Sequence, residues 1–277
     1  SIGARLLWLR QRIRMWAAPL VSGIRTCQGA LAKKRRIGRR DVTLPAVAGT
    51  GDRTLIVTWL KEENLADGGS STGTFFGRLP EFIKESKGTV VLFGALLDVP
   101  DKSSVKGQVD PSLPIISASD FQGKRVAIGC LIRGLLSSIR IPKGLGAENA
   151  NLTSLIKRDI HNNRGMVVSG LIFESALSRL CRLYQPTQII HSCENNPWER
   201  ACARVARTMT TPPQVTGFMH CAVLLSHPKI IITESEKQAR PRPKKLVCTG
   251  PKAREIMIHR GGHSPEETDL NDPTWLP

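Results

Sequence analysis

"TQIIHSCENNPWERACARVARTM" fills residues 187–209, and its reading decides the fold. The opening "TQIIHS" (187–192) is a β-branched, apolar run of strand length. "PWERACARVARTM" (197–209) then reads as a helix with Pro197 at its first position, where a missing N–H is harmless. "QVTGFMH" (214–220), "KIIIT" (229–233) and "KLVCTG" (245–250) return to strand patterning. "PKAREIMIHRGG" (251–262) opens on proline and closes on glycine, as a helix does. Strands and helices alternating at such short intervals predict an α/β protein with a mainly parallel sheet flanked by helices.

Working upstream, "TLIVTWL" (54–60) reads as a buried first strand, followed by a polar, glycine-rich loop, "KEENLADGGSSTG". "TFFGRLPEFIKES" places Phe75, Phe76, Leu79, Phe82 and Ile83 at helical spacing, and "GTVVLFGALL" is a second strand. Residues 98–150 are less regular: "LPII" is a short apolar piece, and "VAIGCLIRGLLSSIRI" fits helix or strand equally. From about 152 two helical stretches follow, the second amphipathic from about 165 to 184.

Parallel sheets hold ligands at the carboxyl ends of their strands. Three loops therefore belong on one edge: 192–197, 217–228 and 249–252. In the first, Glu194 is a candidate base or ligand for sugar hydroxyls. Asn195 and Asn196 could bind polar groups, and Trp198 could stack on a sugar face. Asn196 also suits a helix N-cap, and Glu199 suits the first turn beside the positive end of the helix dipole. In the second loop His220 has the tunable pKa of a general base. In the third, Gly250 and Lys252 at a helix N-terminus suit a phosphate, although the GxxxxGK[ST] spacing is absent.

The chain has 277 residues and a formal net charge of +17. Residues 1–40 carry eleven Lys or Arg and no acid, which leaves about +6 for the other 237. The charge thus belongs to an N-terminal arm, in which Leu6, Leu9, Ile13, Trp16 and Leu20 recur at helical spacing among arginines. Such an arm suits an anionic membrane surface, nucleic acid, or simple solvation. No apolar run reaches the roughly 18 residues a spanning helix needs. Seven cysteines without a CxxC pair argue against a zinc ribbon or redox dithiol and for a reducing, cytoplasmic setting. No HExxH or kinase signature and no Ser-His-Asp order is present, so no metal or bound cofactor is expected.

The segments "LIVTWLKEENLADGG", "TFFGRLPEFIKE", "TVVLFGALLDVP", "NNRGMVVSGLIF", "YQPTQIIHSCENNPWERACARVAR", "VTGFMHCAVLLSHPKIIIT" and "PKKLVCTGPKAREIMIHRGGHSPEE" occur in that order. As a set they resemble bacterial surface carbohydrate (O-antigen type) biosynthesis proteins, which look like two-Rossmann GT-B glycosyltransferases. The resemblance covers roughly residues 53–100 and 150–267. It implies a Rossmann-like, acceptor-side domain over 51–250, a basic arm and linker over 1–50, and an inter-domain helix and tail over 251–277. It places Glu194, Trp198 and Glu199 on the acceptor side of the cleft and His220 in it. A nucleotide sugar would be co-substrate and a glycan or lipid-linked acceptor the partner, in the cytoplasm and peripheral at the inner membrane. The donor-binding half expected of such enzymes is not present in 277 residues, so the chain reads as incomplete for sugar transfer on its own. The competing expectation is a non-catalytic basic protein that binds nucleic acid or an anionic surface through residues 5–40.

Overall fold

The computed structural model describes residues 20–32, 44, 52–60, 76–86, 88–96, 113–136, 164–194, 196, 198–219 and 241–270. They fall into two compact units, one drawn from residues 35–121 and 173–277, the other from 1–34 and 122–172.

The larger unit is a Rossmann-like α/β layer. Its strands are β1 (Arg53–Leu60), β2 (Thr89–Leu96), β3 (Ile115–Ser117), β4 (Gln188–Ser192), β5 (Gln214–Phe218), β6 (Lys245–Cys248) and β7 (Thr268–Leu270). They form one sheet in the order β3-β2-β1-β4-β5-β6-β7, every pairing parallel. This is the doubly wound order, which reverses direction between β1 and β4. The reason lies in the side-chain pattern. Leu55, Val57, Val91, Phe93 and Ile189 point into one core, while the alternate residues Ile56, Val90, Leu92 and Ile190 point into another. Strands that are apolar on both faces must be covered on both, and parallel crossover connections do that.

Helix α1 (20–32) and α3 (Lys124–Leu136) belong to the smaller unit, whereas α2 (Leu79–Glu85), α5 (Glu199–Arg207) and α6 (Pro251–His259) belong to the sheet-bearing one. Helix α4 (Arg164–Tyr184) begins in the first and ends in the second. Its last turn is anchored by Tyr184, whose hydroxyl donates to the Thr89 carbonyl at 2.9 Å. Gln185 ends the helix with φ of 50°, its N–H bonded to the Cys181 carbonyl at 2.7 Å, the left-handed closure common at helix C-termini. Arg204 of α5 reaches Glu174 of α4 with Nε at 2.9 Å and Nη2 at 2.7 Å.

Several boundaries differ from the sequence expectation. The ambiguous stretch 126–141 is helical over its described part, within α3. "LPII" supplies the short β3. Phe76 lies in a turn ahead of α2, and there it packs tilted on Phe218 with ring centroids 5.3 Å apart. The stretch read as inter-domain helix and tail contributes α6, which packs on β6, and then β7 beside β6. The expected strand at 229–233 lies outside the described residues.

Candidate functional site

The reversal of strand order makes the carboxyl ends of β1 and β4 the place where a crevice opens in a doubly wound sheet. Trp59 near the end of β1 meets Trp198, just beyond β4, edge to face at 5.5 Å. The loop after β4 therefore forms one lip of that reversal point. The glycine-rich 61–73 loop, which follows β1, lies outside the described residues.

The β4 lip is held by a buried carboxylate. Glu199 is only 4% exposed, and its Oε1 accepts from the Glu194 N–H at 2.9 Å and from Asn196 Nδ2 at 3.1 Å. Asn196 Nδ2 also donates to Glu194 Oε2 at 3.0 Å. The three residues close into a clasp across the turn. Helix α5 begins at Glu199 with Trp198 in the capping position and no side-chain cap. The N-cap expected from Asn196 is absent, because α5 starts at Glu199 and Trp198, two residues further on, holds the capping position. Glu199 acts through the bonds of the clasp rather than through the helix dipole alone.

Trp198 is 8% exposed and sits in the core between Trp59, Phe173 and His191. It supports the lip from beneath and presents no open ring face for a sugar. Glu194 is exposed, so its carboxylate is the acid of the clasp that solvent reaches. Asn195 and His220 lie outside the described residues. Gly250 and Lys252 are at the start of α6, on the same sheet edge but two strands away from β4. The Lys252 ammonium pairs with Glu255 at 2.8 Å.

His191 is the residue that sequence reasoning passed over. It ends an apolar run and is fully buried. Its Nδ1 lies 2.7 Å from the Ser192 carbonyl. A carbonyl only accepts, so Nδ1 carries the proton and Nε2 is a bare acceptor. Neither Nε2 of His191 nor the indole Nε1 of Trp198 has a hydrogen-bond partner among the described residues. Burial pushes the His191 pKa down to about 4, against a smaller upward pull from the Ser192 carbonyl, so the ring is neutral near pH 7. The only advance signal was a histidine directly after the apolar pair Ile189-Ile190.

His191 lines a cavity of about 50 Å³ together with Cys193, Glu199, Met219, Arg242 and Met257. Gly217 faces the same crowded side of the sheet. A Cβ there would lie 3.1 Å from Pro243 and Leu246 and 3.2 Å from Cys193. The space holds one or two waters and is too small for a sugar ring. A larger cavity, about 680 Å³, opens at the amino ends of β1, β4 and β5 beside Arg53, Arg182, Thr187 and Thr210. The C-termini of α4 and α5 border it, and their partial negative charge works against a phosphate there. Size and position thus disagree, and the reversal of strand order favours the β4 lip. Among the described residues no group of three or more His, Cys, Asp or Glu is arranged to hold a metal.

No protein-family model and no curated protein matches the chain. Among solved structures it is similar to a glycosyltransferase from Rickettsia africae ESF-5, at 10% identity and a TM-score of 0.39. The match covers 80% of this chain and 43% of that one, so the chain spans less than half of that protein's length. A likeness at this level carries no argument about activity; the Rossmann-like assignment rests on the strand order itself.

Proposed function

We propose that this chain is the acceptor-side domain of a GT-B-type glycosyltransferase of surface polysaccharide biosynthesis. It would work with a nucleotide sugar and a glycan or lipid-linked acceptor, in the cytoplasm at the inner membrane. The observation that carries the reading is the clasp of Glu194, Asn196 and Glu199 at the β1/β4 reversal point. It offers a solvent-facing carboxylate on a fixed turn, a group that can accept from and deprotonate a sugar hydroxyl. The resemblance of the ordered sequence segments to surface carbohydrate biosynthesis proteins supports the pathway part of the reading. In this reading Glu194 contacts the acceptor hydroxyl. His220 is the further candidate base that the sequence resemblance assigns to the cleft, and Gly250 and Lys252 are the candidates for the donor phosphates.

Calorimetric titration of the chain with lipopolysaccharide-type oligosaccharides, and separately with nucleotide sugars, tests this. Glycan binding should weaken about tenfold in Glu194→Ala, since a hydrogen bond to a charged group contributes about 1.5–3 kcal/mol. Glycan affinity unchanged by that substitution, or no glycan binding at all, would remove the proposal's support.

A further inference from the structure

The smaller unit leaves much of its aliphatic surface outside a small core that contains Val168 and Ile172. Helix α3 buries Ala127, Cys130 and Gly134 and leaves Ile128, Ile132 and Leu136 exposed, at 55%, 52% and 78%. Those three are spaced i, i+4, i+8 and so share one helix face. The small side of α3 is closely packed: a Cβ on Gly134 would lie 2.6 Å from Val168 Cγ2. Similar exposure recurs nearby. Helix α1 buries Gly23 and Cys27 and exposes Leu20, Val21 and Ile24, while the start of α4 exposes Met166 and Val167 beside the buried Val168 and Ile172. Of the eleven exposed large hydrophobic side chains among the described residues, eight lie in these three segments. A helix packed against water alone puts its large aliphatics inside. Small residues at helix contacts with large ones outward is the pattern of helices whose surroundings are apolar.

The charge says what those surroundings are. Segments 20–32, 124–136 and 164–172 contain no Asp or Glu, and Arg25, Lys124, Arg125 and Arg133 are exposed on them. We infer that the outward face of α3, flanked by α1 and the start of α4, docks on a bilayer surface rich in anionic phospholipid. The aliphatic side chains enter the headgroup boundary and the guanidinium and ammonium groups meet lipid phosphates. No described helix is long and apolar enough to cross a membrane. With 13 residues α3 spans about 20 Å, which suits a helix lying in the interface plane. Two other occupants fit less well. A second copy, related by a two-fold axis, would set these cations against their own counterparts with no acid to pair them. A nucleic acid would use the cations and leave the aliphatic row unexplained. This inference concerns a surface and is independent of sugar transfer.

Flotation of the full chain with vesicles tests it, using phosphatidylcholine alone and phosphatidylcholine with about one third phosphatidylglycerol. The chain should float with the anionic vesicles and at least about tenfold less with the neutral ones. Ile128→Ser, Ile132→Ser and Leu136→Ser together should cut flotation about tenfold or more at unchanged melting temperature, because the side chains removed are solvent-facing. Undiminished flotation of the triple variant overturns the inference. So does a triple variant that only converts a dimer to monomer, or one that leaves tight RNA binding as the chain's sole association. Should the triple variant unfold, Leu136→Trp decides instead. Its added emission should shift to the blue on anionic vesicles, and an unshifted spectrum sinks the proposal.

Discussion

Acid should destabilise this protein through one buried ring, and His191→Leu isolates the effect. His191 has a folded-state pKa of about 4 against an ordinary value of 6.5. Its pKa is depressed, so the unfolded chain takes up a proton near pH 6.5 that the native state refuses until about pH 4. The stability at stake is therefore fully present above pH 6.5 and is lost as the pH falls through the window between the two values. Within it the slope is about 1.4 kcal/mol per pH unit, which accumulates to about 2.5 kcal/mol by about pH 4.5. Leucine has no titrating group and approximates the ring's volume. Urea unfolding of both proteins at a series of pH values should show the variant gaining on the parent by that amount between about pH 7.5 and about pH 4.5. A stability difference independent of pH would refute the reasoning, as would a native-state NMR titration placing His191 near its ordinary value.

Three further outcomes follow from contacts described above. Glu199→Ala strips the clasp of its acceptor and leaves the Glu194 N–H and the Asn196 amide without it. Thermal unfolding should register a loss of about 1–3 kcal/mol, while Glu199→Gln, which keeps an acceptor oxygen, should lose less. Gly134→Ala forces a methyl against Val168 Cγ2 at 2.6 Å, so overpacking of about 1–3 kcal/mol should outweigh alanine's better helix propensity in a chemical denaturation series. Burial raises the thiol pKa of Cys181 to about 12 and that of Cys202 well above its ordinary value, whereas Cys193 is only half-buried. Among these three, mass spectrometry after brief alkylation of the native protein should find Cys193 modified first, and equal labelling would contradict the burial.

The sheet was readable because its strands are apolar on both faces. "TLIVTWL", "TVVLFGALL" and "TQIIHS" needed no partner information to be recognised, since nothing but a covered strand accommodates such runs. Helix α3 was not readable, because its outward aliphatics and inward small residues erase the contrast that marks a water-facing helix. The site was half legible. A loop after a parallel strand points to a ligand edge, which located Glu194, Asn196 and Glu199. The division of labour among them was not legible, because it depends on which carboxylate is buried, and a sequence does not print burial. Glu199 and Trp198 belong to the support beneath the lip, and only the fold shows it. His191 escaped notice for the same reason: its significance is an unpaired nitrogen, a property of its surroundings.

The clasp at 194–199 also sets a thermodynamic condition on anything that binds there. Glu194 Oε2 accepts a hydrogen bond from the Asn196 amide at 3.0 Å, and a carboxylate keeps further lone pairs, so an incoming hydroxyl adds a contact without breaking the clasp. Because the turn is ordered beforehand, little conformational entropy is lost. Selectivity would then come from whether a ligand's hydroxyls match a fixed spacing.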